Sequence, residues 1–313
     1  MSLALSSPTI SRTIFIVVGA ACLTPWVSPP VALAAGAILA NTVGNPFRPL
    51  TSKLTKKLLQ YSIIGLGFGI NAHQALQASQ EGLLLTVASI VLTLTAGYLL
   101  GKWLGVDYKT AYLVSAGTAI CGGSAIAAVS PLIHAEEKQM TMALGTVFVL
   151  NSVALLVFPW IGNLLRMTQA DFGLWAALAI HDTSSVVGAA QTFGEEALRI
   201  ATTVKLARAL WIIPLALFTA FAFKQSGAKV SIPYFIGGFV LTMLIGSYGP
   251  SKLEPLYAGI TFAAKRGLTL TLFLVGAGLA KETLRQVGIR PLLLGVMLWL
   301  GLGVSSLLVI QSL

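Results

Sequence analysis

The residues most able to do chemistry in this sequence are positively charged side chains inside long apolar stretches. Lys205 and Arg208 are three residues apart, so on a helix they project from one face. A cation at the centre of a bilayer costs about 2.5–3.5 kcal/mol unless something compensates it. Cations outnumber acids in these stretches, and we therefore expect Lys205 and Arg208 to bind a small anion. Lys265 and Arg266 form a secondary cationic pair, which could instead extend to the membrane surface.

A polar run near the middle of another apolar stretch contains His181, Asp182, Thr183 and Ser184. A buried Asp is normally tolerated only where its side chain faces a partner or a wet cavity. An imidazole titrates near pH ~6.5 in water, so His181 could accept and release a proton. We predict that these four residues couple substrate movement to H⁺ or Na⁺. The alternative is that His181 only forms a hydrogen bond to a neighbouring helix.

Small residues cluster around a pair of adjacent glycines in a third apolar stretch. They could let two helices pack closely, or they could let the helix unwind and expose backbone N–H groups. A half-helix that begins after such a break directs its positive end toward the break and suits an anion. The sequence leaves both interpretations open. On the second, substrate binding falls to Lys205, Arg208 and the residues of this cluster, which are Thr118, Cys121, Gly122, Gly123 and Ser124.

Several functional classes lack any signal in this sequence. We find no paired nucleophile and base, no nucleotide-binding loop and no metal-binding motif, so we predict no enzyme activity, no metal and no cofactor beyond a coupling ion. The net charge of +10 does not indicate nucleic-acid binding, because basic membrane proteins carry their excess charge in cytoplasmic loops. The expected partners are the small anion and the lipid bilayer, and the chain could form a homo-oligomer.

The composition predicts an all-α membrane protein that forms one transmembrane domain over residues 1–313. Hydrophobic residues make up 56% of the sequence and charged residues 10%, against about 45–50% and 25% in soluble domains. A transmembrane helix needs about 20 apolar residues, and we predict about eleven such helices. Their ranges are 12–28, 30–47, 57–78, 82–101, 108–132, 138–163, 172–193, 198–223, 232–249, 258–280 and 290–311.

The charged residues between these helices predict the orientation of the chain. With a cytoplasmic N-terminus, most cations fall at cytoplasmic ends, among them Lys53, Lys57, Lys224, Lys229, Lys281 and Arg285. The opposite ends carry most of the acids, including Glu136, Glu137, Glu195 and Glu196. This asymmetry follows the positive-inside rule and places the C-terminus outside. Residues 1–29 resemble a signal peptide, but we interpret them as an uncleaved extra helix.

A weak internal similarity suggests inverted repeats. Gly67-Phe68-Gly69-Ile70 resembles Gly276-Ala277-Gly278-Leu279, and Leu83-Leu84-Leu85 resembles Leu292-Leu293-Leu294. The members of both pairs are 209 residues apart along the chain. In the predicted topology the paired segments run in opposite directions, as an inverted repeat requires. An alternative register, with helices two to six against seven to eleven, has the same parity and places the first repeat at 30–165 and the second at 170–313. Short Gly and Leu matches of this kind also arise by chance.

At these motifs the sequence resembles the YeiH-like family of bacterial membrane proteins, often labelled sulfate exporters. The resemblance is carried by GTAICGGSAIAAVSP at 117–131, HDTSSVVGAA at 181–190, ATTVKLARALWIIPL at 201–215, PYFIGGF at 233–239 and GAGLAKETLRQVGIRPLLLG at 276–295. It implies a multi-pass protein of the bacterial cytoplasmic (inner) membrane, related to cation/proton antiporters and anion transporters. It also implies inverted repeats with two discontinuous helices that cross near the membrane midplane. Asp182 and Thr183 depart from the more apolar or amide-bearing residues expected there, which leaves the coupling ion open.

The function expected from these observations is secondary transport that exports or exchanges a small anion. Sulfate-like oxyanions, sulfonates and carboxylates all suit a cationic pocket, and either H⁺ or Na⁺ could be coupled. One alternative is a cation-coupled carrier in which Asp182 holds the ion and the basic residues pair with it. Another is a membrane sensor or structural subunit without flux of its own.

Overall fold

The computed structural model describes residues 8–81, 83–223, 234–278 and 288–312, and within these ranges it contains helices and no strand. The prediction of an all-α protein is therefore confirmed. Some predicted features lie outside the described residues: residues 1–7 of the predicted extra helix, Leu279 of the second similar segment, and the cations Lys224, Lys229, Lys281 and Arg285.

The chain divides into two compact units, each assembled from two separate segments. The first unit comprises Met1–Gln74 and Pro233–Glu282, and the second comprises Ala75–Ile232 and Thr283–Leu313. The helices of the first unit are α1 (Pro8–Ala21), α2 (Pro29–Thr42), α3 (Arg48–Gly67), α13 (Tyr234–Tyr248) and α14 (Glu254–Ala277). Helix α4 (Ala72–Glu81) contains the point at which the chain passes from one unit to the other.

Glycines set the closest helix contacts in the first unit. A side chain at Gly276 on α14 would overlap the carbonyl oxygen of Leu33 on α2, and one at Gly67 on α3 would overlap Thr242 on α13. Small residues let the backbones of neighbouring membrane helices approach in this way. Gly67 and Gly276 are also equivalent positions in the two similar segments of the sequence, so both segments place a glycine against a partner helix.

The second unit contains the remaining helices and both polar regions that the sequence singled out. Its helices are α5 (Leu83–Trp103), α6 (Tyr108–Ala119), α7 (Gly123–Val129), α8 (Glu137–Leu164), α9 (Gln169–Ala179), α10 (Thr183–Phe193), α11 (Glu195–Ala209), α12 (Ile212–Ala222) and α15 (Ile289–Ser312). Side chains define several of their starts. Asp107 accepts a hydrogen bond from Thr110 N at 3.0 Å before α6, and Thr168 accepts one from Asp171 N at 3.1 Å before α9.

Within the described residues, four of the predicted helices are divided. The predicted helix 57–78 is interrupted between α3 and α4, 108–132 between α6 and α7, 172–193 between α9 and α10, and 198–223 by a turn between α11 and α12. In the part of the chain that the structure describes, five helical segments could each cross a membrane by length and composition: Leu83–Trp103, Glu137–Leu164, Glu195–Ala222, Ser251–Gly278 and Ile289–Ser312. The count of about eleven spans stays a prediction.

Candidate functional site

The first helix break lies between α6 and α7, at the paired glycines. Helix α6 ends at Ala119, and Gly122 has φ +63° and ψ −122°, a conformation that residues with a Cβ rarely adopt. The Gly122 N–H donates to Gly117 O at 2.8 Å, which closes the end of α6. Helix α7 then begins at Gly123. The sequence allowed either close packing or a break here, and the structure contains the break.

The second break lies between α9 and α10, within the polar run. Ile180 leaves the helix with φ −89° and ψ 130°, and His181 and Asp182 follow before α10 begins. The Asp182 carboxylate caps α10 by accepting hydrogen bonds from Ser185 N at 2.9 Å and from Ser184 Oγ at 2.5 Å. A carboxylate at this position also interacts favourably with the positive end of the helix. Asp182 therefore has a structural role in starting α10.

The two breaks are adjacent in the second unit. A Cβ atom at Gly122 would lie 3.4 Å from Asp182 Cβ and 3.5 Å from His181 O. The glycine pair is thus packed directly against the polar run. The four half-helices α6, α7, α9 and α10 consequently have one end each in a common region.

Helix α11 supplies two cations to this region, and both are completely buried. Lys205 Nζ donates to Ile180 O at 2.6 Å and to Ala177 O at 3.3 Å, at the C-terminal end of α9. Arg208 connects the two broken helices. Its Nε donates to Ala119 O of α6 at 2.9 Å, its Nη1 donates to Leu178 O of α9 at 3.0 Å, and its Nη2 also donates to Ala119 O.

These contacts give Lys205 and Arg208 a role that the sequence did not indicate. The last carbonyl groups of a helix have no partner within the helix and carry partial negative charge. Where a helix ends inside a protein, cations compensate those groups. Lys205 and Arg208 thus stabilise the C-terminal ends of α6 and α9, and among the described residues neither cation forms an ion pair with a carboxylate.

The carbonyl groups do not exhaust the hydrogen-bonding capacity of the two cations. A lysine ammonium has three N–H donors and an arginine guanidinium has five, whereas Lys205 donates two hydrogen bonds and Arg208 three. With Lys205, Arg208 and Asp182 all ionised, the formal charges of the side chains at the two breaks sum to about +1. This region can therefore accommodate one negative charge.

Several buried polar atoms in the second unit have no hydrogen-bond partner among the described residues. They include both ring nitrogens of His181, Nδ2 of Asn151, and the hydroxyl groups of Thr118 and Thr202. Asn151 on α8 contacts the second break directly, because its Oδ1 accepts a hydrogen bond from His181 N at 3.0 Å. Asn151 is not among the site residues predicted from the sequence, where its only signal is an amide side chain in an apolar helix.

The structure places the other predicted site residues as follows. Cys121 is buried between α6 and α7, Ser124 is exposed on α7, and Thr183 is partly buried at the start of α10. Lys265 and Arg266 lie on α14 of the first unit, where Arg266 Nη1 donates to Thr24 O at 3.0 Å and its guanidinium lies 5.7 Å from the ring centre of Phe262. Among the described residues, no cluster of His, Cys, Asp and Glu could hold a metal ion.

Comparison with known proteins places this chain among bacterial membrane proteins. Residues 27–295 match the family model described as "Conserved hypothetical protein 698". The chain is similar to a UPF0324 membrane protein of Photobacterium profundum, with 54% identity over 297 residues that cover 95% of this chain and 91% of the relative. A UPF0324 membrane protein of Bacteroides thetaiotaomicron is 52% identical over 90% of this chain and 86% of that relative. One of Shewanella oneidensis is 52% identical over 95% of this chain and 93% of that relative. No solved structure matches the chain.

Proposed function

This chain belongs to the UPF0324 family of membrane proteins, and we propose that it is a secondary transporter for a small anion. The family agrees with the YeiH-like family predicted from the motifs of the sequence. The proposed activity is export or exchange across the bacterial cytoplasmic membrane, without an enzymatic step or a cofactor. The observation that carries the proposal is the positive charge at the two adjacent helix breaks. Lys205 and Arg208 are both fully buried, and the local groups leave about one positive charge for an anion to neutralise.

The broken helices explain how a binding site could form inside a membrane. Helix α10 begins at the break, and the first N–H groups of a helix have no partner within it. These donors and the positive helix end suit an anionic group. Asp182 already occupies the N–H of Ser185, so the anion would use the N–H groups of Thr183 and Ser184, the first two residues of α10. In transporters, substrate sites formed by discontinuous helices lie near the bilayer midplane.

The wider topology belongs to the same proposal. We propose about eleven membrane spans, a cytoplasmic N-terminus and an external C-terminus. Inverted repeats are supported by the equivalent contacts of Gly67 and Gly276 with α13 and α2. His181 and Asp182 are the proposed coupling residues, because they lie at the break beside the carbonyl groups that Lys205 and Arg208 hold.

Flux in proteoliposomes tests the proposed function. We expect purified protein to exchange labelled phosphate, sulfonates or small carboxylates above the rate of empty liposomes. A folded Lys205→Met variant should lose at least tenfold in rate, because removal of one charge near 4 Å changes the anion's free energy by up to about 4 kcal/mol. Lys102→Met is the matched control, because Lys102 is exposed in the last turn of α5.

The gradient that drives the flux distinguishes the candidate mechanisms. An imposed pH or sodium gradient should accelerate anion movement if His181 or Asp182 couples an ion to it. Uptake of sodium without any anion dependence would favour the cation carrier instead. A reconstituted, folded protein that moves none of these ions would contradict transport and would favour a sensor or structural subunit.

A further inference from the structure

Asn151 and His181 form a buried polar pair whose remaining hydrogen-bonding atoms are directed to no described residue. Asn151 is 2% exposed and His181 is 0% exposed. They share one hydrogen bond, which His181 N donates to Asn151 Oδ1. Because Oδ1 is the accepting atom of the amide, Nδ2 remains as a donor, and no described residue accepts from it. A buried polar atom without a partner costs about 1–3 kcal/mol. A pair with three such atoms beside a helix break is suited to binding a polar ligand.

The chemistry of these atoms specifies what the ligand must offer. A neutral imidazole has one N–H donor and one bare nitrogen that accepts, and an amide nitrogen has two N–H donors. Two observations favour the neutral imidazole. The ring is completely buried, which disfavours a charge, and Lys205 bonds the carbonyl group of Ile180, the residue directly before His181, so a second positive charge would be repelled. The amide and the ring N–H can bond to any oxyanion. The bare ring nitrogen can be satisfied only by a ligand that donates a hydrogen.

We propose that Asn151 and His181 recognise a hydrogen-bond donor on the transported anion. The substrate class is then an anion that carries an O–H or N–H group, such as a hydroxylated sulfonate, a hydroxy acid or a protonated oxyanion. Plain sulfate does not meet this requirement, because its oxygens only accept. This inference rests on the proposed function and specifies the substrate of that same site.

The arrangement separates two tasks within one site. Lys205 and Arg208 act on the charged end of the anion, and they lie on α11 with their polar groups at the ends of α6 and α9. Asn151 and His181 act on its neutral donor from α8 and from the break before α10. A site that bonds a substrate hydroxyl discriminates strongly against the analogue without it, because its own buried groups then stay unpaired.

Matched pairs of anions test the inference on the purified full-length protein. Phosphate is compared with sulfate, and 2-hydroxyethanesulfonate with ethanesulfonate, by the ligand concentration needed to stabilise the protein against thermal unfolding. We expect the donor-bearing member of each pair to bind at least tenfold more tightly. In His181→Phe, which keeps a ring and removes both nitrogens, the two members should bind within about twofold of each other.

The control is His73→Phe, the same substitution at an exposed histidine of the first unit, whose Nε2 lies 3.1 Å from Tyr248 OH. This variant should keep the wild-type preference. If His181→Phe does not fold, His181→Met is measured in its place, because the flexible Met side chain fits irregular space.

The outcomes separate this inference from the proposed function. Equal binding of both members by the wild-type protein would overturn the donor requirement and leave anion transport intact. A preference that persists in the folded His181 variant would overturn the assignment to His181. Failure of every anion both to bind and to move would contradict the proposed function itself.

Discussion

Replacing Arg208 with methionine should destabilise the protein by about 2–6 kcal/mol, because each of the two buried carbonyl groups that it bonds loses its donor at a cost of about 1–3 kcal/mol. The substitution leaves the carbonyl groups of Ala119 and Leu178 without their donors, and both carbonyls lie at helix ends inside the protein. It also removes the only side chain in the described part of the chain that bonds both α6 and α9. Chemical or thermal unfolding in detergent would measure the loss.

Arg208→Lys is the matched variant for this prediction. It keeps the positive charge but lacks the planar group that donates in two directions at once. We expect it to recover part of the stability, because an ammonium can reach one helix end but not both in the same geometry. An Arg208→Met protein that is as stable as wild type would contradict the role of Arg208 in joining the two broken helices.

Replacing Gly122 with alanine should have the second large effect. The backbone at Gly122 adopts φ +63° and ψ −122°, and a residue with a Cβ is strained there by about 1–3 kcal/mol. The added methyl group would also lie 3.1 Å from Val147 Cγ1. Both effects disfavour the observed backbone conformation at the break between α6 and α7. We therefore expect lower thermal stability and loss of flux.

The neighbouring glycine provides the control. A Cβ at Gly123 would meet its nearest atom, Leu144 Cδ2, at an ordinary contact distance of 3.4 Å. Gly123 is also the first residue of α7, where alanine is a good helix former. We therefore expect Gly123→Ala to unfold close to the wild-type temperature. Equal destabilisation by both alanines would contradict the special role of the backbone conformation at Gly122.

The sequence located the main polar regions of the second unit but could not assign all their contacts. Charge inside apolar stretches singled out Lys205 and Arg208, because a charge is costly in a membrane helix. Adjacent small residues indicated either close packing or a break near Gly122 and could not decide between them. Their partners are backbone carbonyl groups, which every residue carries. Composition therefore could not distinguish a cation that bonds helix ends from one that binds an anion.

Asn151 illustrates a second limit of the sequence. It lies 30 residues from His181, and only the packing of α8 against the second break brings the two together. The same limit applies to the helix boundaries. Hydropathy predicted 57–78 as one helix, whereas α3 ends at Gly67 and α4 starts at Ala72. Ser247 of α13 bonds backbone atoms of Ile70 and Ala72 in this interruption, a contact that hydropathy cannot indicate.

Anomalous diffraction from crystals soaked in arsenate would test the central claim most directly, because it locates a bound anion without assuming its role. Arsenate is protonated near neutral pH and therefore carries both a negative charge and a hydrogen-bond donor. We predict one strong peak in the second unit, beside the α9–α10 break and within hydrogen-bonding distance of His181 or Asn151. A protein that transports arsenate but shows a peak only beside Lys265 and Arg266 would contradict this account.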